Sequence, residues 1–419
     1  MCESGEALVG NLVTISGIQA RPELNGLLGF AKSLNVSTGR LAVRLPLEVV
    51  ALKPTSLQLA DCHVPSPTTI SEMGPVALLE LIREEWFGMH DAVAAAAYRR
   101  ALKLMGGGRA EDTVLIDGGV FKLVIASLNP LQSVQAVVMG FATVALGVLG
   151  GDDDAKYRNA KYQGDYRKAL CVDAGGFEAV LRVLRQQKTS DVQAAGLSVV
   201  ANLTAGSITT GGDRRRDAAV RAGVVPVVAA AMRLYPHRSA VIHFAAQALG
   251  SISADPITAS VVKKQCVEEG VIKLLVEGLI RHKDAGNTHR MPFGDWTENG
   301  GVIEVDGTVL EGGCLVLNNL VCGDHDGDVE GPLLRARAAF EAGVMGVVGA
   351  AARDPQATKP LFFLCQSLAA PAGPEEFMKH LRLAPQEDQM SVGAFMERTK
   401  GGLQEGDTAS SATHAWSRR

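Results

Sequence analysis

The sequence predicts a multi-domain protein, a small N-terminal all-β barrel followed by an all-α, superhelical stack of short repeats. Three observations carry this. Five segments of one pattern, a glycine followed by an apolar helix, recur between residues 117 and 352. Apolar residues make up 47% of the chain and aromatics only 5%, so the interior is built from Ala, Val, Leu and Gly, which suits closely packed helices. Residues 9–60 instead alternate apolar and polar in short runs, the period of strands.

From the N-terminus, "LVTISGI" (12–18) and "GRLAVRLP" (39–46) alternate, and "LLGFAKSL" (27–34) follows a Pro/Asn/Gly turn. The string "GIQARPELNGLLG", with "GRLAVRL" and "ALKPTSL" after it, resembles an SH3-like β-barrel module associated with algal and protist multi-domain proteins. That resemblance places a barrel at 1–61. Phe30 is its only aromatic, too few to line a proline-peptide groove or a methyl-lysine cage. A docking or structural role is what remains. "CHVPSPTTISE" (62–72) reads as a Pro/Ser/Thr linker, and residues 73–108 as helices that cap the stack.

The repeats, at 109–384, begin with a glycine corner. It stands in "DGGVFKLVIASL" (117–128), "DAGGFEAVLRVL" (173–184), "RAGVVPVVAAAM" (221–232), "EEGVIKLLVEGL" (268–279) and "EAGVMGVVGAAA" (341–352). The last glycine before the apolar residue is Gly119, Gly176, Gly223, Gly270 and Gly343, in steps of 57, 47, 47 and 73. Glycine ends a short helix in the left-handed conformation, and Pro226 then falls in the first turn of the next helix, where its missing N–H is harmless. A second apolar helix follows each corner and closes 30, 27, 29, 50 and 25 residues after the glycine. The insertions 151–168 and 285–308 break the period, and insertions in solenoids map to loops.

The "AGVVPVV" corner and the "VVANLT" helix end (199–204) resemble the armadillo repeat family, over about residues 110–372. The resemblance implies three helices per repeat and a right-handed superhelical solenoid with a groove lined by the third helices. The two-helix HEAT repeat of transport adaptors is the alternative, disfavoured by the corner before every second helix. In the nuclear-import adaptors of the armadillo family, an Asn/Trp ladder in the groove grips extended peptides. The asparagine position reads Val148, Asn202, Ser251, Asn319 and Ser367 here, and the tryptophan one turn earlier becomes Val144, Ser198, Gln247, Leu315 and Phe363. That departure argues against recognition of basic import signals. His243 falls on the third helix of its repeat and is a further groove candidate.

The insertions supply the remaining candidates. Tyr157, Tyr162 and Tyr166 fall within ten residues, beside Arg158, Lys161, Arg167 and Lys168, and Trp296 lies next to Phe293. Aromatics and arginine dominate interface hot spots, although long loops also bury their own rings. Past Pro385 the chain turns polar, and a mobile tail is expected over 385–419.

No motif for chemistry stands out. There is no G-x-S-x-G, H-E-x-x-H or P-loop, and "SVVK" (260–263) lacks its partner motifs. "GDHDGDVEG" (323–331) has three aspartates at calcium-loop spacing, but Val329 and Arg335 stand where glycine and glutamate are needed, so no metal is expected. The formal charge of −4 shows no basic bias, and Arg214–Arg216 reads as a solvated helix end, so no nucleic acid is expected. The strongest membrane candidate, 136–151, is shorter than the roughly 20 residues a span requires. Seven scattered cysteines, without zinc-ligand spacing or an apolar leader, point to the cytoplasm or nucleus. The function expected is a non-enzymatic scaffold or adaptor, monomeric or within a complex, that binds a protein or extended peptide without a cofactor. A regulatory subunit or ligand-responsive module of a larger complex is the other reading.

Overall fold

A computed structural model describes residues 5–107, 109–149, 164–206, 211–254, 258–284, 288–290, 302–304, 309–322, 330–354 and 357–399. The chain divides into two compact units, Met1–Gln187 and Lys188–Arg419.

The first unit opens with a short helix, α1 (Gly5–Leu8), and five strands: β1 (Leu12–Ile15), β2 (Leu28–Asn35), β3 (Arg40–Arg44), β4 (Val49–Leu52) and β5 (Leu57–Leu59). They form one antiparallel sheet in the order β4-β3-β2-β1-β5, with Val13 opposite Gly29 on one side and Leu59 on the other. Alternation in the strands turns Val13, Ile15, Ala31, Leu41 and Val43 into a common core with Leu8 and Leu24. The expected barrel does not close. After β4 a tight helical turn at Pro54–Ser56 carries the chain to the opposite edge, where among the described residues β5 pairs with β1 alone, so β4 and β5 are the two edges of the sheet.

The sheet is fastened to helices within this unit. Buried Arg44, at the end of β3, sends Nη1 to Asp91 Oδ1 at 2.6 Å and Nη2 to the carbonyl of Gly88. Asn129 Nδ2 donates to the Pro46 carbonyl, and the Phe30 ring lies 4.7 Å from that of His90.

The stretch read as a linker contains helix α2 (Pro67–Glu72). Ser66 Oγ accepts from Thr69 N at 3.1 Å and Pro67 occupies the first turn, so the Ser-Pro pair is a helix start. Next come α3 (Pro75–Arg83), α4 (Asp91–Gly107), α5 (Arg109–Asp117), α6 (Val120–Ser127), α7 (Val134–Gly147), α8 (Gly164–Asp173) and α9 (Gly176–Gln186). The helices expected to cap the stack have the packing of a repeat: α2 and α3 lie against α4, and α4 lies along α7.

The second unit contains α10 (Ser190–Thr204), α11 (Gly212–Ala222), α12 (Val224–Leu234), α13 (Ser239–Ser253), α14 (Ala259–Glu268) and α15 (Val271–Arg281). A two-stranded antiparallel ribbon, β6 (Thr288–Arg290) with β7 (Val302–Glu304), interrupts it. The helices continue as α16 (Val309–Val321), α17 (Glu330–Glu341), α18 (Val344–Ala351), α19 (Thr358–Ala372), α20 (Pro374–Leu383) and α21 (Gln386–Thr399). Triplets α11–α13, α14–α16 and α17–α19 repeat one arrangement, with α10, α13, α16 and α19 packed in sequence order as a row. Helix α21 lies in what was expected to be a mobile tail. Its Asp388 is buried and held by Arg353 at 3.0 Å, and it packs on α18.

The corner glycines are left-handed, with φ 78° at Gly119, 81° at Gly223, 65° at Gly270 and 85° at Gly343. In the second repeat that role belongs to Gly175 (φ 80°), one residue before the glycine expected. Gly176 starts α9, where a Cβ would stand 2.7 Å from the Cys171 carbonyl.

Candidate functional site: the row of third helices

The third helices are rich in Ala, Gly and Ser, and small residues let backbones approach closely. A Cβ on Gly250 of α13 would come 2.9 Å from Val316 of α16. The consequence for the expected groove is direct: Ser198, His243, Ser251 and Asn319 are buried between helices. They do not line an open surface. Ser198 Oγ donates to the Ala195 carbonyl one turn back at 2.7 Å. Of the ladder candidates in the second unit, Asn202 on α10, Gln247 on α13 and Ser367 on α19 are half-buried. Strand β6 of the ribbon lies against α13.

Tyr166 is half-buried at the start of α8, whereas Tyr157, Tyr162 and Trp296 lie outside the described residues. Of the basic neighbours of Tyr166, Arg167 and Lys168 are buried, and Arg158 and Lys161 lie outside the described residues. Arg167 is buried, with Nη2 2.5 Å from Asp112 Oδ2 and Nη1 donating to the Gly147 carbonyl at the end of α7.

The same device closes other third helices, and here the solvated reading of Arg214–Arg216 fails. Arg215 and Arg216 are buried. Arg215 donates to the Leu203 and Ala205 carbonyls at 3.0 and 2.8 Å, and Arg216 to those of Thr204 and Gly206. Arg335 donates to the Cys322 carbonyl at 3.0 Å, and so does buried Lys263, the last residue of the "SVVK" string, at 3.1 Å. These cations meet the orphan carbonyls and the negative end of the helix dipole. A signal for them was present: Arg167, Arg215, Lys263 and Arg335 each stand seven or eight residues before a left-handed glycine.

Asn318, adjacent to the expected Asn319, makes the polar tie within the row by accepting from Ser367 Oγ of α19 at 2.7 Å. The thiols of Cys171 and Cys314 are pushed up by burial, and that of Cys266 to about 12, which makes them poor nucleophiles. Toward the C-terminal end, a shallow cleft of about 520 Å³ is bordered by Phe340, His380, Arg337 and Glu376. There the Phe340 and His380 rings stack at 4.5 Å. Among the described residues no group of three His, Cys, Asp or Glu could hold a metal ion, and no helix is long and apolar enough to cross a membrane.

No family model and no curated protein matches the sequence. Solved structures do resemble the fold. An engineered protein from the Northeast Structural Genomics Consortium has a TM-score of 0.50 at 17% identity, covering 71% of this chain and 98% of its own. The designed armadillo repeat protein YIII(Dq)4CqI has a TM-score of 0.49 at 15% identity, covering 71% and 100%. A designed armadillo repeat protein solved with the peptide (KR)4 has a TM-score of 0.47 at 14% identity, covering 70% and 98%.

Proposed function

We propose that the chain is a non-enzymatic, armadillo-like scaffold or adaptor that holds a protein or an extended peptide along its repeats, in the cytoplasm or nucleus. The observation that supports it is the row α10, α13, α16 and α19, in which each helix packs along the next in sequence order. Such repetition can present one kind of contact several times over, which suits an extended partner. Asn202 and Gln247, half-buried on adjacent members of the row, are the side chains assigned to a bound backbone, since each amide carries both donor and acceptor. The N-terminal sheet, SH3-like in this reading, serves as a docking or structural module.

Selection of a displayed library of extended 12-residue peptides on the full chain tests the reading. Enriched peptides are expected to lose about tenfold or more in affinity to an Asn202→Ala/Gln247→Ala variant whose melting curve is unchanged. A library that yields no binder, or binders indifferent to both substitutions, removes this surface and the reading with it.

A further inference from the structure

Helices α20 and α21 repeat the opening of a further unit. Helix α20 packs on α19 as α17 packs on α16, α21 packs on α18 as α18 packs on α15, and α20 meets α21 as α17 meets α18. The unit then lacks its third helix among the described residues. The burial pattern records the difference. Helices α13 and α16 have a third helix on either side, and they are buried all round. From Ala240 to Ser253 only Gln247 escapes full burial, and from Val309 to Val321 only Glu311.

Among the described residues, helix α19 has such a neighbour on one side only. Leu361, Phe363, Leu364 and Leu368 are buried on the side that carries the Ser367–Asn318 bond to α16. At 100° per residue the opposite stripe is Phe362, Gln366, Ala369 and Ala370. Phe362 and Ala369 are half-buried, and Gln366 and Ala370 are exposed.

We propose that this face of α19, beside α20, docks an amphipathic helix of a protein partner, which takes the place a third helix holds in the other units. The proposal rests on the scaffold reading but uses a surface other than Asn202 and Gln247. Continuity with the row identifies the occupant's chemistry. Helices α13, α16 and α19 each cover the helix before them, are 15, 13 and 15 residues long, and combine large apolar residues with small ones, Ala and Ser in α13 and α19 and Gly in α13 and α16. The occupant is therefore a helix of that length, with an apolar stripe kept narrow by small residues.

The probe is a displayed library of amphipathic 15-residue helices with Ala, Gly and Ser along the stripe, selected on the full chain. Selected peptides are expected to bind with a Kd in the micromolar range, about −8 kcal/mol, and to gain helical circular dichroism on binding. Ala369→Arg should weaken them at least tenfold, as should Gln366→Glu, a change at an exposed position that guards against misfolding. Asn202→Ala/Gln247→Ala should leave them unchanged, which separates this site from the peptide surface. No enrichment, or binding indifferent to both α19 variants, overturns the proposal. So does a wild-type dimer dissolved by Ala369→Arg, which assigns the face to a second copy. Binding that emerges only on deletion of residues 400–419 assigns the face to this chain's own tail and overturns it as well.

Discussion

Arg215 shows how much of this fold depends on single cations placed at helix ends. The last carbonyls of α10 have no partner within the helix, and burial denies them water. Arg215 and Arg216 supply the donors, so three consecutive arginines that look like a solvated run contain two structural ones and exposed Arg214. Arg215→Met keeps most of the side-chain volume but leaves two carbonyls unmet. At about 1–3 kcal/mol for each buried group left unsatisfied, a loss of about 2–6 kcal/mol is expected. Arg214→Met should stay within about 0.5 kcal/mol of wild type. Urea unfolding of the two variants measures both. Equal midpoints would mean that the Arg215 guanidinium contributes nothing to the end of α10.

At the scale of the element, the corner glycine was the most legible feature, because left-handed backbone strongly selects for glycine and recurs at each turn. Gly343 (φ 85°) and Gly346, inside α18, make a matched pair three residues apart. A Cβ at Gly343 meets no neighbour, so its cost is conformational, about 1–2 kcal/mol. At Gly346 a Cβ would meet Ile280 at an ordinary 3.4 Å, and Ala in a helix gains about 0.5–1 kcal/mol over Gly. Gly343→Ala should lower the melting temperature and Gly346→Ala raise it, as scanning calorimetry would show. The same reasoning marks where legibility ended. Of two glycines in a row the sequence reading takes Gly176, whereas the left-handed residue is Gly175, and only the backbone angle separates them. Ser66-Pro67 serves equally in linkers and at helix starts. Ser251 and Asn319 stand on α13 and α16, but whether either faces solvent depends on how closely the neighbouring helix approaches. That distance is set by small residues far away in sequence.

For the molecule as a whole, the consequence of these burials is a stability that falls on acidification well before the carboxylates titrate. In the first unit His90 precedes α4, and its Nδ1 accepts from Val93 N at 3.4 Å, which requires an unprotonated nitrogen. Burial holds its pKa below the ordinary 6.5, and the Arg44 cation works in the same direction while Asp91 opposes it. In the second unit His282, at the end of α15, is likewise lowered by burial, then by Arg281 and His237, against its bond to the Pro236 carbonyl. A histidine with a lowered folded pKa binds its proton more readily in the unfolded chain. The stability it contributes is present above about pH 6.5 and is lost as pH falls from there toward the folded pKa. Both units should therefore weaken below about pH 6.5. Trp86, buried with its ring 6.5 Å from His90, reports on the first unit once Trp296 and Trp416 are changed to Phe. Its thermal transition should move down between pH 7.5 and 5.5. In His90→Asn the shift should shrink, because asparagine caps a helix start without titrating, while the His282 contribution in the second unit persists. An unaltered pH slope in that variant would show that the proton is taken up elsewhere, and that the contact between Phe30 and His90 does not govern how the sheet is held in acid.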